Sequence, residues 1–204
     1  SITLSPNLLD KTEVVFGPSS VIYGSDALGG VIHYYTKTPR LSEYKKVESS
    51  LFSRFSTVNQ EKTTNVSAEL SFSNWASFTS ISYSDFGDLK AGENRKHGFS
   101  DFGKVFYFSE NVNGNYAENP TLNSDPNLLR NTGFNQTDVL QKFYVPLSKN
   151  TDLKINLQYS TSSNILRFDR LTELTDISDN ASLKFAEWYY GPQERLLISS
   201  QLLL

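Results

Sequence analysis

The chain has 204 residues, a formal net charge of -3, no cysteine, no methionine and 13% aromatic residues. These values exclude a disulfide framework and a thiolate metal site, and they offer no basic surface to a nucleic acid. No run approaches the roughly eighteen apolar residues of a transmembrane helix. The mean hydropathy of -0.40 suits a soluble protein or a membrane barrel, whose alternating strands average to a weak signal. With no initiator methionine, no leader pattern at Ser1 and an end at Leu202-Leu203-Leu204 inside an apparent strand, the sequence reads as a fragment.

In chain order, residues 12 to 39 come first. Glu13 to Phe16 is a short strand ended by Gly17-Pro18, a strong breaker. Ser19 or Ser20 can cap a short helical stretch through Val21, Ile22 and Tyr23. Gly24 then ends it in the left-handed conformation. Ser25 to Leu28 makes a second turn, Gly29-Gly30 allows close backbone approach or positive φ, and Val31 to Thr36 extends as a strand. This is not a phosphate loop, because no Gly-Lys-Ser/Thr follows and the GxGxxG spacing fails. Pro39 to Lys46 is a polar linker.

Beyond it the pattern has period two. Residues 45–58 set Val47, Leu51 and Phe55 against Glu48, Ser50 and Arg54. From Asn65 to Ser73, Val66, Ala68, Leu70 and Phe72 oppose Ser67, Glu69, Ser71 and Ser73. From Asp152 to Ser160, Leu153, Ile155, Leu157 and Tyr159 oppose Asp152, Lys154, Asn156, Gln158 and Ser160. Blurred strands are predicted near 75–88, 136–147 and 193–204, making six. Their connections are short at Asn59-Gln60-Glu61, Ser73-Asn74 and Ser148-Lys149-Asn150, and long over about 89–135 and 164–192. Outer-membrane barrels show this short-turn, long-loop rhythm. Alternation alone fits a soluble β-sandwich equally well.

The stretch Glu-Val-Val-Phe-Gly-Pro-Ser-Ser-Val-Ile-Tyr-Gly-Ser-Asp-Ala-Leu-Gly-Gly-Val-Ile-His-Tyr-Tyr-Thr-Lys, Glu13 to Lys37, resembles the end of the plug domain of TonB-dependent outer-membrane receptors. The order and spacing of Glu13, Gly17, Pro18, Ser19, Tyr23, Gly24, Gly29 and Gly30 carry the likeness. It departs in two places: Phe16 stands where the family usually has Arg, and His33 where it has Asn. The family's Arg joins a charge cluster between plug and wall, so Phe16 is expected to pack apolarly instead.

The resemblance implies an all-β chain, part of a 22-stranded antiparallel transmembrane barrel preceded by the end of a small α/β plug. Residues 1–40 would be plug, and 41–204 the first six or so barrel strands, in the outer membrane of a Gram-negative cell. It implies active uptake of a ferric siderophore, haem or cobalamin, driven through TonB, with barrel lipids as the other partner. TonB would engage a plug segment that this fragment does not include. No enzyme activity, resident cofactor, metal or nucleic-acid partner is expected.

Candidate ligand contacts are His97, Phe106, Tyr107, Tyr116 and Arg167. His33 and His97 are the two histidines that could contact haem, though His33, inside a strand, is expected to be packed. Asp125-Pro126-Asn127-Leu128 is similar to a short motif that haem receptors carry far later in the barrel. Trp188, Tyr189 and Tyr190 fit an interfacial girdle or a ligand vestibule. Glu173, Asp176 and Asp179 fit a solvated loop better than a Ca²⁺ site. Rival readings are an outer-membrane barrel enzyme, for which no nucleophile–base set can be assembled, the glycan-uptake branch of the superfamily, and a soluble β-sandwich binding module. An isolated six-stranded sheet would leave two open edges and is expected to aggregate.

Overall fold

The computed structural model describes residues 5–17, 20–25, 29–95, 98–117, 119–175 and 182–204. These are all-β apart from a one-turn 3₁₀ helix at Pro6–Leu8 and a single helical turn, α1, at Ser20–Tyr23. Strands β1 (Leu9–Phe16) and β2 (Gly30–Thr36) form an antiparallel hairpin, with Glu13 opposite His33 and Val15 opposite Val31. The hairpin needs glycine at position 30, where a Cβ would lie 2.6 Å from the Val15 carbonyl oxygen. Gly24, at φ +98°, follows α1 in the left-handed conformation expected of a helix terminator.

The main sheet has six strands: β3 (Lys46–Ser56), β4 (Glu61–Ser71), β5 (Ala76–Phe86), β6 (Phe134–Ser148), β7 (Thr151–Ser162) and β8 (Glu194–Leu203). Every neighbour in it is consecutive in the chain and antiparallel, and the sheet is open at β3 and β8. The predicted strand at 65–73 in fact begins at Glu61. Its first residues, Glu61 to Thr64, are polar on both faces, so alternation could not reveal them.

The register lays out two kinds of row. On one face Leu51, Val66, Ile81, Val139, Tyr159 and Leu196 stand side by side across all six strands. On the other the matching row is Phe52, Asn65, Ser82, Asp138, Ser160 and Arg195. The apolar row is the exposed one: Val66 is 54% accessible, whereas Ser82 is 0% and Asp138 2% accessible. A sheet folding in water puts its apolar face against a core. This one does the reverse, and its polar face satisfies itself. Asn65 donates to Ser80 Oγ at 2.8 Å, Thr63 donates to Glu61 at 2.8 Å and shares a 3.0 Å hydroxyl–hydroxyl bond with Ser84, and Gln136 donates to Asp138 at 2.9 Å. Ser160 also donates to Asp138. Thr79 and Gln141, polar side chains on the outer face, bond each other at 2.6 Å.

The N-terminal segment lies on the polar face. Ser5 Oγ donates to Ser82 Oγ at 3.2 Å, and Leu8 packs with Phe78 and Leu140 in a buried apolar cluster. At the same root of the hairpin, where Thr36 stands opposite Leu9, Lys142 Nζ donates to the Thr36 carbonyl at 3.2 Å, and just beyond it the Arg40 amide donates to Glu69 at 2.8 Å. One expectation is overturned. Phe16 does not pack apolarly: it is 87% exposed at the free end of β1, beside the turn, with its face of the hairpin uncovered. Its place at the tip, where β1 ends opposite Gly30, carries it away from the sheet that Leu8 reaches.

Candidate functional site

Three groups of polar and aromatic side chains stand out: one on the hairpin and one on each long loop. On the hairpin, antiparallel register brings Lys11 opposite Tyr35 and Glu13 opposite His33. Glu13 accepts from Lys11 Nζ at 2.6 Å and from the Tyr35 hydroxyl at 2.9 Å. Those two donors hold its carboxyl below the usual carboxylate range and raise Lys11 and Tyr35 above theirs. His33 stacks on Tyr35 at 4.2 Å and meets the edge of Tyr23 at 6.2 Å. His33 is thus packed, and its Nδ1 is buried with no hydrogen-bond partner. Sequence reading picked out Glu13 and Tyr23 but missed Lys11 and Tyr35. Opposition across a hairpin was the available signal, and it required the register. Gly17 donates its amide to the Gly29 carbonyl at 3.3 Å, closing the turn. Pro18 and Ser19 lie outside the described residues.

The first long loop, between β5 and β6, is organised around Asn123 and Asp125. Asn123 is buried and donates to the carbonyls of Val105 (2.8 Å) and Leu128 (2.9 Å). Asp125 accepts from Lys90 at 2.9 Å and from the Asn127 amide at 3.1 Å, which lowers its carboxyl and raises Lys90. Asp125-Pro126-Asn127-Leu128 therefore acts as a loop fastener: Pro126 and Asn127 also accept backbone bonds from Val105 and Ala91. Phe106 and Tyr107 are both 41% exposed beside a two-residue ladder, and Tyr116 closes another ladder with Asn111. His97 lies outside the described residues.

The second long loop, between β7 and β8, is built on Arg167. Its guanidinium makes two bonds to Asp169, at 2.8 and 2.6 Å, and a third to the Tyr190 hydroxyl. The pairing raises Arg167 and holds Asp169 low. Arg167 also stands 5.6 Å over Trp188 and 5.3 Å over Tyr190, while Arg170 covers Trp188 at 5.7 Å. So Arg167 and the aromatics Trp188 and Tyr190 form one cluster, and Phe106, Tyr107 and Tyr116 are not among Arg167's partners. Glu173 is taken up by Arg170 (2.6 Å) and Lys184 (3.5 Å). Asp176 and Asp179 lie outside the described residues, and among the described ones no group of three His, Cys, Asp or Glu could hold a metal.

The two loops are joined at Ser109, which is 0% exposed. Its amide donates to the Leu171 carbonyl at 3.1 Å, its hydroxyl to the Ala186 carbonyl at 2.8 Å, and its own carbonyl accepts from Asn131 at 3.0 Å. A cleft of about 420 Å³ lies where Ser5, Pro6 and Asn7 meet the sheet. Phe52, Phe86 and Phe134 line it, together with Glu61, Asp138 and Arg54. Arg54 lies 3.5 Å from Glu61. The arrangement comprises an aromatic and polar inner surface and a pair of coupled loops.

No protein-family profile matches the chain. A stretch of 36 residues is 56% identical to a protein of Yersinia enterocolitica described as a hemin receptor. That stretch is 18% of this chain and 5% of the relative, so the chain spans a small part of the length of the curated protein it matches.

Proposed function

We propose that this chain is the end of the plug and the first wall strands of a TonB-dependent outer-membrane receptor, which takes up a scarce ligand such as a ferric siderophore, haem or cobalamin. The observation that carries this reading is the inverted sheet: apolar side chains face outward, polar ones inward, and the hairpin is docked on the polar side. Lipid is the medium that makes such a wall stable, because an apolar exterior then costs nothing and a polar interior meets water or plug. On this reading the sheet is a segment of the 22-stranded barrel, the hairpin is the plug's last element, and the coupled loops face the outside. The short likeness to a hemin receptor supports the receptor class and favours haem within the ligand set. TonB supplies the energy, and no covalent chemistry is involved.

The test is uptake of labelled haem and of labelled ferric siderophores by cells that carry the intact gene, with and without TonB. Uptake that needs both the gene and TonB is expected. Equal uptake in the two strains would refute active transport. A wall that shows no heat-modifiable gel mobility in detergent would refute the barrel.

A further inference from the structure

The hairpin segment meets the wall through polar contacts and through the buried apolar cluster of Leu8, Phe78 and Leu140, and the two kinds behave differently when broken. Ser5 on Ser82, Lys142 on the Thr36 carbonyl and the Arg40 amide on Glu69 all exchange a protein partner for water on separation, with little net loss. Leu8 has no such replacement. It is 1% exposed and packs against Phe78 and Leu140, both buried, so leaving would return apolar surface of all three to water.

The local sequence is built to present that side chain. Pro6 opens the 3₁₀ turn, Leu8 donates its amide to the Ser5 carbonyl at 3.1 Å, and the Leu9 amide bonds Pro6. The Lys37 amide then bonds the Leu8 carbonyl at 2.9 Å, which ties the turn to the end of β2. Leu8 and the root of the hairpin therefore move together. The socket is a local exception in the wall. Phe78 sits between Glu69 and Lys142, and Leu140 between Ser80 and Gln158, all on the inward face.

We propose that Leu8 is an apolar latch, and that its release from the Phe78–Leu140 socket limits how often the hairpin leaves the wall. This rests on the receptor reading above. The experiment is conductance of the intact gene product in planar lipid bilayers, comparing wild type with Leu8→Ala, Leu8→Met and a deletion of the whole plug through residue 36. Heat-modifiable mobility checks that each barrel is folded. The deletion is expected to conduct continuously. Leu8→Ala is expected to raise the conducting fraction about 30-fold, which is ~2 kcal/mol at ~1.4 kcal/mol per tenfold. Leu8→Met, which keeps the volume, should stay within a few-fold of wild type. A second lock separates the latch from general loosening. Ser5→Cys with Ser82→Cys, with any cysteine elsewhere in the intact gene product replaced, should silence Leu8→Ala when oxidised and release it on reduction. If the deletion conducts while Leu8→Ala matches wild type, the latch is wrong and the receptor reading stands. If the deletion does not conduct, the receptor reading fails and the latch fails with it.

Discussion

Replacing Val66 by arginine distinguishes a lipid-facing wall from a sheet in water. Val66 is the central residue of β4, Glu61–Ser71, and its side chain lies on the exposed face between Leu51 and Ile81. Five residues separate it from each strand end. At ~3.4 Å per residue and a tilt of ~40°, that is about 13 Å along the membrane normal, which places it near the middle of a ~25 Å apolar band. An arginine at that depth costs ~2–4 kcal/mol, or about 30- to 700-fold in the folding equilibrium. On a water-facing sheet the same change would stay within ~0.5 kcal/mol. Val47→Arg is the depth control: Val47 is on the same face, one residue from the start of β3, where the cost falls to ~0–1 kcal/mol. The assay is urea-dependent folding of the intact gene product into phospholipid vesicles, read by gel mobility and tryptophan fluorescence. Equal effects at Val66 and Val47, or no effect at either, would refute the lipid-facing assignment.

Three further outcomes are expected. Asp138→Ala removes the carboxylate that accepts from the Ser160 hydroxyl and the Gln136 amide on the inner face and should destabilise the wall by ~1–3 kcal/mol in the same titration, with Asp138→Asn losing less. Gly30→Ala forces a Cβ against the Val15 carbonyl and should speed amide hydrogen exchange across β1 and β2, by an opening worth ~1–3 kcal/mol, while leaving β3–β8 unchanged. Glu13 has a folded pKa below its ordinary value, so its contribution is fully present above the ordinary carboxylate range and is lost as pH falls through the lower folded value. Hydrogen-exchange protection at Tyr35 should therefore hold from pH 7 to 5 and weaken below about pH 4. In Glu13→Gln that dependence should vanish, and its persistence would point to another group.

The sequence made six strands legible because Val66, Ala68 and Leu70, or Leu153, Ile155 and Leu157, repeat at a spacing that only a strand places on one face. It could not say which face points inward. Alternation is symmetric, and Ser82 looks the same facing solvent as facing a hydrated interior. The glycines at 24 and 30 were readable because backbone geometry is local. Leu8, Lys11 and Tyr35 were not, since each acquires its role from a residue far away in sequence: Leu8 from Phe78 and Leu140, Lys11 from Tyr35, and Tyr35 from Lys11 and Glu13. Arg167 was picked out as a contact for ligand, and the structure gives it partners of its own in Asp169 and Tyr190. The joint at Ser109 left no trace, because a serine in a polar loop has nothing to mark it.

The consecutive order of the six strands has a kinetic meaning. With no strand inserted between sequence neighbours, the sheet can grow from either side of a finished hairpin and never has to open one to admit another. Strands β3, β4 and β5, and separately β6 and β7, close across tight turns and so can pair early. Joining those two units waits on the first long loop, and adding β8 waits on the second. Loop-closure entropy rises only as the logarithm of length, about 0.6 kcal/mol per doubling. The long loops can therefore be large enough to fold on each other while adding little to the cost of building the wall.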